Sequence, residues 1–283
     1  MKRLLLPIVA ALSLVAAPLF GVNKLKNIPS DKVVCLFDIH DTVVEKETGK
    51  RIKMGIKTAW HMIRSKEART IINTHLDTNG HCAGELIEQK LQERARYYLD
   101  LASQALKSGH TKQAKAYRHK AKRFMKLAHL FHNFELSYRN KDGVVSLLEA
   151  LKKRGYNQFY VASNIGSKHY EHIKCKFPEL FNDHMIKDGL TVDVTEIPLL
   201  KKPDHAYFKK LQKMYNSNGD KTLVFIDDKE QNVEAARRCG MIGIRIKSVK
   251  QCVEALNEEG LNLTYHKCKS HSHGSKHSRI HVS

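Results

Sequence analysis

The chain has 283 residues, 42% hydrophobic and 28% charged, enough for one good-sized domain with an insertion or for two small domains; a wholly disordered chain is excluded. Lys and Arg number 49 against 29 Asp and Glu, a formal charge of +20, which favours anionic partners such as phosphorylated substrates, nucleic acid or acidic lipid without choosing among them. Six cysteines would suit a disulfide count in an exported protein, but Cys35 lies in an apolar strand-like run and Cys239 in a helix. Cys82, Cys175, Cys252 and Cys268 show no paired spacing, so all six read as small, partly buried thiols.

In chain order, the first element is a leader. Met1-Lys2-Arg3 precedes an uncharged run from Leu4 to Val22 containing Ala10, Ala11, Ala16 and Ala17, the form of a secretory signal peptide over residues 1–23. The run is also about long enough to anchor the chain in a membrane. Either way the expected location is outside the cytoplasm: periplasmic, secreted, or held at the outer face of the membrane.

Next, Lys32 to Phe37 forms a short continuous apolar run, the pattern of a buried parallel strand. Similar runs follow at 159–162, 223–226 and 242–246, alternating with helix-like stretches at Val144 to Lys153 and Val233 to Cys239. This alternation predicts an α/β fold with a parallel sheet. Between the first two strands, residues 45–139 hold no convincing strand. Apolar residues there step by three and four: Leu91, Ala95, Tyr98, Ala102 and Ala105, then, past Ser108-Gly109, Ala114, Tyr117, Ala121, Phe124, Ala128 and Phe131. They predict a helical hairpin in an inserted domain. Its stretch from Leu101 to Phe134 carries eight Lys or Arg and no acid, either a solvated face or a surface that meets an anionic partner. The last segment, 264–283, gathers His266, His271, His273, His277 and His281 among Ser, Lys and Gly. It is expected to be disordered, with loose transition-metal binding as a secondary reading.

Chemistry concentrates at the strand ends. Asp38 follows the first strand directly, where open α/β sheets place their ligands, in the run Phe37-Asp38-Ile39-His40-Asp41-Thr42-Val43. Val161-Ala162-Ser163-Asn164, then Lys202-Pro203-Asp204, then Phe225-Ile226-Asp227-Asp228-Lys229-Glu230-Gln231-Asn232 with Ala235, Ala236 and Gly240 come after it. Taken singly, these are a helix cap, a turn and a helix start. In this order and at these places they resemble the four motifs of the haloacid-dehalogenase-like (HAD-like) superfamily, phosphatase type. The first is especially similar to the D-I-D-D-T-V form of some exported acid phosphatases.

The resemblance covers roughly residues 31–250 apart from the inserted helices. It implies a Rossmann-like three-layer core at 31–44 and 140–258 with an all-helical cap at 45–139. It further implies a hydrolase of phosphate monoesters that works through an aspartyl-phosphate on Asp38. Mg²⁺ would be held by Asp38, the carbonyl of His40, and Asp228 with Asp227 in support. Lys202 would neutralise Asp38 and the transferring oxygens, and Ser163, with Asn164, would bind the substrate phosphate. One residue departs from the pattern: His40 stands where the phosphatases carry the acid that protonates the leaving group. A small phosphorylated substrate is the expected partner. Competing readings are a catalytically silent module that binds an anionic ligand or protein at the basic cap, and a nucleic-acid or membrane-surface binder.

Overall fold

Strand β1, Val33–Phe37, is buried along its whole length. Its β-branched and aromatic side chains leave both faces apolar, which suits a strand covered on each side by helices. In the computed structural model it lies at the centre of a five-stranded parallel sheet, and the residues described are 24–49, 55, 65–76, 83–135, 137–196, 198–267 and 278–282. The leader at 1–23, Cys82, Cys268 and the histidines at 271, 273 and 277 lie outside them. Among the described residues no helix is long and apolar enough to cross a membrane. Cys35, Cys175, Cys239 and Cys252 are free thiols.

The sheet contains β4 (Phe159–Gly166), β5 (Lys187–Val192), β6 (Thr222–Asp227) and β7 (Ile242–Arg245) in the order β5-β4-β1-β6-β7. Alternate residues of β1 feed two separate cores. Val33, Cys35 and Phe37 pack with Leu147 and Leu151 of one helix and Val253 of another. Val34 and Leu36 pack on the other face with Tyr207, Phe208, Leu211 and Ala235. The expected three-layer core follows from this division. The edge strand β5 was not anticipated, because Lys187-Asp188-Gly189-Leu190-Thr191-Val192 has no apolar run. Gly189 is needed there, since a Cβ would come within 2.0 Å of the Val161 carbonyl oxygen.

The interval between β1 and β4 contains α1 (Lys66–Leu76), α2 (Ala83–Lys107) and α3 (Thr111–Glu135). Helices α2 and α3 form the expected hairpin, turning at Gly109 with φ +74°. Leu91, Ala95 and Tyr98 face Ala121, Phe124, Ala128 and Phe131, with Ile72 of α1 completing a cap core. Small alanines on the seam let the two helices approach closely.

Two expectations are corrected. The interval is not purely helical, because β2 (Val44–Lys46) pairs antiparallel with β3 (Tyr138–Asn140) and ties the two chain crossings together. Three-residue strands are too short to show a period of two. The tail is not wholly disordered either: β8 (Leu263–Lys267) pairs antiparallel with β9 (Ser278–Val282). Leu263, Tyr265 and Ile280 join the main core cluster. A reading from composition averaged these few apolar positions away.

Among the described residues the core is completed by α4 (Val144–Lys153), α5 (Ser167–Lys176), α6 (His205–Tyr215), α7 (Glu230–Arg238) and, after β7, α8 (Val249–Glu258).

Candidate active site

β1 is followed directly by Asp38, whose backbone N–H donates to the Ile226 carbonyl at 2.9 Å, so the nucleophile candidate stays registered to β6. The chain then turns sharply. Val43 and Val44 both donate to the Ile39 carbonyl, at 2.9 and 3.0 Å, and Asp41 takes φ +58°, a left-handed conformation that Asp tolerates. Lys141, where the chain re-enters the core, donates from its side chain to the Asp41 carbonyl. Burial lowers the Lys141 pKa, against the attraction of Asp228 and Asp41.

Asp38, Ser163, Lys202 and Asp227 converge beneath this turn and are all buried. The Ser163 hydroxyl donates to Asp38 Oδ1 at 2.6 Å. Lys202 Nζ lies 2.9 Å from the same oxygen and 2.6 Å from Asp227 Oδ2, and donates to the Ala162 carbonyl at 2.8 Å. Burial disfavours the ammonium, but Asp227 and Asp38 outweigh it and its pKa is raised. Lys202 is therefore a fixed positive charge between two carboxylates.

Asn164 and Asp227 also make contacts that brace the site. The Asn164 side chain accepts from the Lys202 backbone N–H at 2.7 Å and donates to the Lys202 carbonyl at 2.8 Å, so it braces the lysine loop. Asp227 also accepts from the Lys229 backbone at 2.8 Å and from Asn232 Nδ2 at 3.0 and 3.1 Å. Asn232 and Lys141 are the contributors that sequence reasoning missed. Asn232 lies in the fourth motif but its side-chain partner is set by the fold, and nothing in the local sequence of Lys141 marks it.

Asp228 differs from its neighbours. Burial first, and then the charges of Asp38 and Asp227, push its carboxyl up to about 6, and its Oδ1 is buried without a hydrogen-bond partner. Carboxylate oxygens of Asp38, Asp227 and Asp228 lie within 4.8 Å of one another. Lys202 contacts Asp38 and Asp227 but not Asp228, whose orphaned oxygen is thereby left available to a cation. An all-oxygen donor set of this kind fits a hard divalent ion.

His40 is buried, 2% exposed. Its ring stacks on Tyr138 of β3, with centroids 4.6 Å apart and planes 29° apart.

Comparison with known proteins gives the following. The haloacid dehalogenase-like hydrolase family matches residues 33–240. The sesquiterpene phosphatase astK of Aspergillus oryzae is 29% identical over 112 residues, which are 39% of this chain and 53% of that protein. The chain thus spans about half the length of that curated relative. A crystal structure of a Clostridium difficile protein, described only provisionally as a phosphatase, overlaps 78% of this chain and 90% of its own, with a TM-score of 0.41 and 13% identity.

Proposed function

The chain belongs to the haloacid dehalogenase-like hydrolases, and on that footing we propose that it hydrolyses small phosphate monoesters, with Asp38 as nucleophile and Mg²⁺ as its ion. One observation carries the reading. Asp38 is held from one side by Lys202 and Ser163, at 2.9 and 2.6 Å on a single oxygen, while the under-neutralised Asp228 stands beside it.

The Asp38 carboxylate forms a bond to phosphorus as the ester P–O bond breaks, so one hard displacement becomes two easier ones. Lys202 offsets the charge brought together at that moment, and Ser163 fixes the rotation of the carboxylate. The leaving oxygen takes a proton from His40, whose imidazole then accepts one from the water that releases inorganic phosphate and restores Asp38. Asp38, the His40 carbonyl and Asp228 would hold the Mg²⁺, with Asp227 behind them. The ion would supply the positive charge that lets a carboxylate approach a phosphate dianion. The A. oryzae relative is a sesquiterpene phosphatase by name; for this chain the proposed substrate is defined by its phosphate group. Export of the protein by residues 1–23 belongs to the same proposal, and a reporter fused to them should leave the cytoplasm.

The stacking of His40 on Tyr138 favours a second reading, a silent module that binds an anionic ligand. Turnover of an aryl phosphate with and without Mg²⁺ separates the two. Wild-type activity that is lost on chelation and lost in Asp38→Asn supports hydrolysis. A wild type inactive on a broad phosphate panel, with turnover gained in His40→Asp, supports the silent module.

A further inference from the structure

Away from Asp38, the cap meets the core at a second cluster of metal-ligating side chains. Glu88 on α2 places Oε2 3.0 Å from His132 Nδ1 on α3 and 3.1 Å from His169 Nε2 on α5. These three atoms lie within 4.8 Å of one another. His169 is buried, and Glu88 and His132 are half-buried. The arrangement is held from behind. Gln92 Nε2 donates to the other Glu88 oxygen at 2.8 Å. One turn earlier, Glu85 accepts from the His169 backbone at 3.3 Å and lies so close to Gly166 that a Cβ there would be 2.0 Å from its carboxylate.

We propose that Glu88, His132 and His169 form a site for a Zn²⁺-class transition-metal ion that clamps the helical cap to the core. Two imidazole nitrogens and one carboxylate oxygen are donors that such ions prefer, whereas Mg²⁺ prefers the all-oxygen set at Asp38. Zinc bonds to these atoms run about 2.0–2.2 Å, so the edges of a tetrahedral site are about 3.3–3.5 Å. The two edges from Glu88, 3.0 and 3.1 Å, need to open by only a few tenths of an ångström, and the His132–His169 edge lies within 4.8 Å. The ion replaces the protons that the two ring nitrogens direct at Glu88 Oε2, and each neutral ring keeps a proton on its other nitrogen. A fourth position remains for water or for His172, whose ring is centred 4.7 Å from that of His132. Two ligands belong to the cap and one to the core, so binding fixes their relative position. The site is independent of whether Asp38 turns over.

The test uses the full-length protein, stripped of metal and held in millimolar Mg²⁺ to fill the all-oxygen site. Zn²⁺ is titrated calorimetrically, and Co²⁺ serves as the spectroscopic stand-in. Wild type should bind one more equivalent than His132→Ala/His169→Ala and should show the ligand-field absorption of a four-coordinate site, which the double variant loses. Histidines of the tail are present in both proteins and cancel. Glu88→Gln can still accept from an imidazole N–H, so the cap contact survives, yet Zn²⁺ affinity at this site should fall by more than about 100-fold, beyond the range of outer-shell changes. Equal stoichiometry and affinity in wild type and double variant overturn the proposal. Should the double variant lose its helical signal, Glu88→Gln decides alone, and unchanged Zn²⁺ affinity there overturns it.

Discussion

Replacing Lys202 by Met tests whether the lysine is the charge that makes the site possible. Lys202 is 3% exposed, and its ammonium makes contacts of 2.6 Å to Asp227, 2.9 Å to Asp38 and 2.8 Å to the Ala162 carbonyl. Methionine is of similar volume, so the cavity contribution is small, and what remains is two buried carboxylates without their cation. Breaking a buried pair from one side costs about 3–5 kcal/mol. At about 2 °C per kcal/mol for a chain of this length, that is a fall of roughly 6–10 °C in Tm. The raised Lys202 pKa sets the pH window: this stabilisation is fully present below the ordinary 10.5 and is lost only as pH rises through the raised value. Neutral pH lies well inside it. Urea unfolding of metal-free protein at pH 7 gives the number, and the same substitution in an Asp227→Asn background gives the coupling. Because the amide leaves only one buried charge uncompensated, the penalty of Lys202→Met should fall there by about 1–3 kcal/mol. A single-variant cost below about 1 kcal/mol, or a cost unchanged by Asp227→Asn, refutes the reasoning.

Further outcomes follow from the same geometry. His40→Ala should cost about 10²–10⁴-fold in kcat, with His40→Asp keeping or raising activity; steady-state rates of the three proteins decide, and an unchanged kcat in His40→Ala removes the ring from the chemistry. Asp228 titrates near 6 in the folded state against 3.8 ordinarily, so the folded protein binds the extra proton and metal-free stability falls as pH rises between those values. Asp228→Asn should therefore be about 1–2 kcal/mol more stable than wild type at pH 7 without metal, after discounting for partial exposure, and should gain nothing from Mg²⁺; denaturation with and without the ion reads both. Reversing Lys115, Arg118, Lys122 and Arg123, of which the first three are exposed and Arg123 is half-buried, should raise KM for anionic substrates and leave Tm nearly unchanged, because exposed charges contribute little to stability. An unchanged KM for every phosphate ester makes that face merely solvated.

Four strands were legible because parallel strands covered on both faces are written as continuous apolar runs, and candidate site residues directly follow three of those runs. Val33 to Phe37 and Leu223 to Ile226 leave no other reading, and Asp38 and Asp227 follow immediately. β5 was hidden because an edge strand needs only Leu190 and Val192 buried. The hairpin was legible from its period, down to the turn at Gly109. What the sequence does not carry is partnership at a distance. Asn164 and Ser163 are adjacent in the chain, yet one braces the Lys202 backbone and the other touches Asp38; neighbours in a strand point to opposite faces. Glu88, His132 and His169 are too far apart in sequence to form a spacing motif, and only the docking of α2 and α3 on α5 brings them together.

The β2–β3 ribbon links these levels. Both crossings into the cap pass through three paired residues on each strand. Tyr138 lies on one of those strands, stacked on His40, and Lys141, just beyond, donates to the Asp41 carbonyl. A shift of the cap that bends the ribbon therefore moves the two groups that shape the turn after Asp38, while Lys202, Ser163 and Asp227 remain fixed to the sheet. The proposed charge-stabilising half of the site is bonded to the sheet ends, and His40, the proposed proton carrier, is tied to the cap through Tyr138. Tyr138→Ala separates the two: its ring stacks on the His40 ring rather than on the backbone carbonyl proposed for Mg²⁺, so Mg²⁺ affinity should stay near wild type while kcat falls toward that of His40→Ala. Equal losses in both quantities would show that the ribbon supports the whole site rather than the histidine alone.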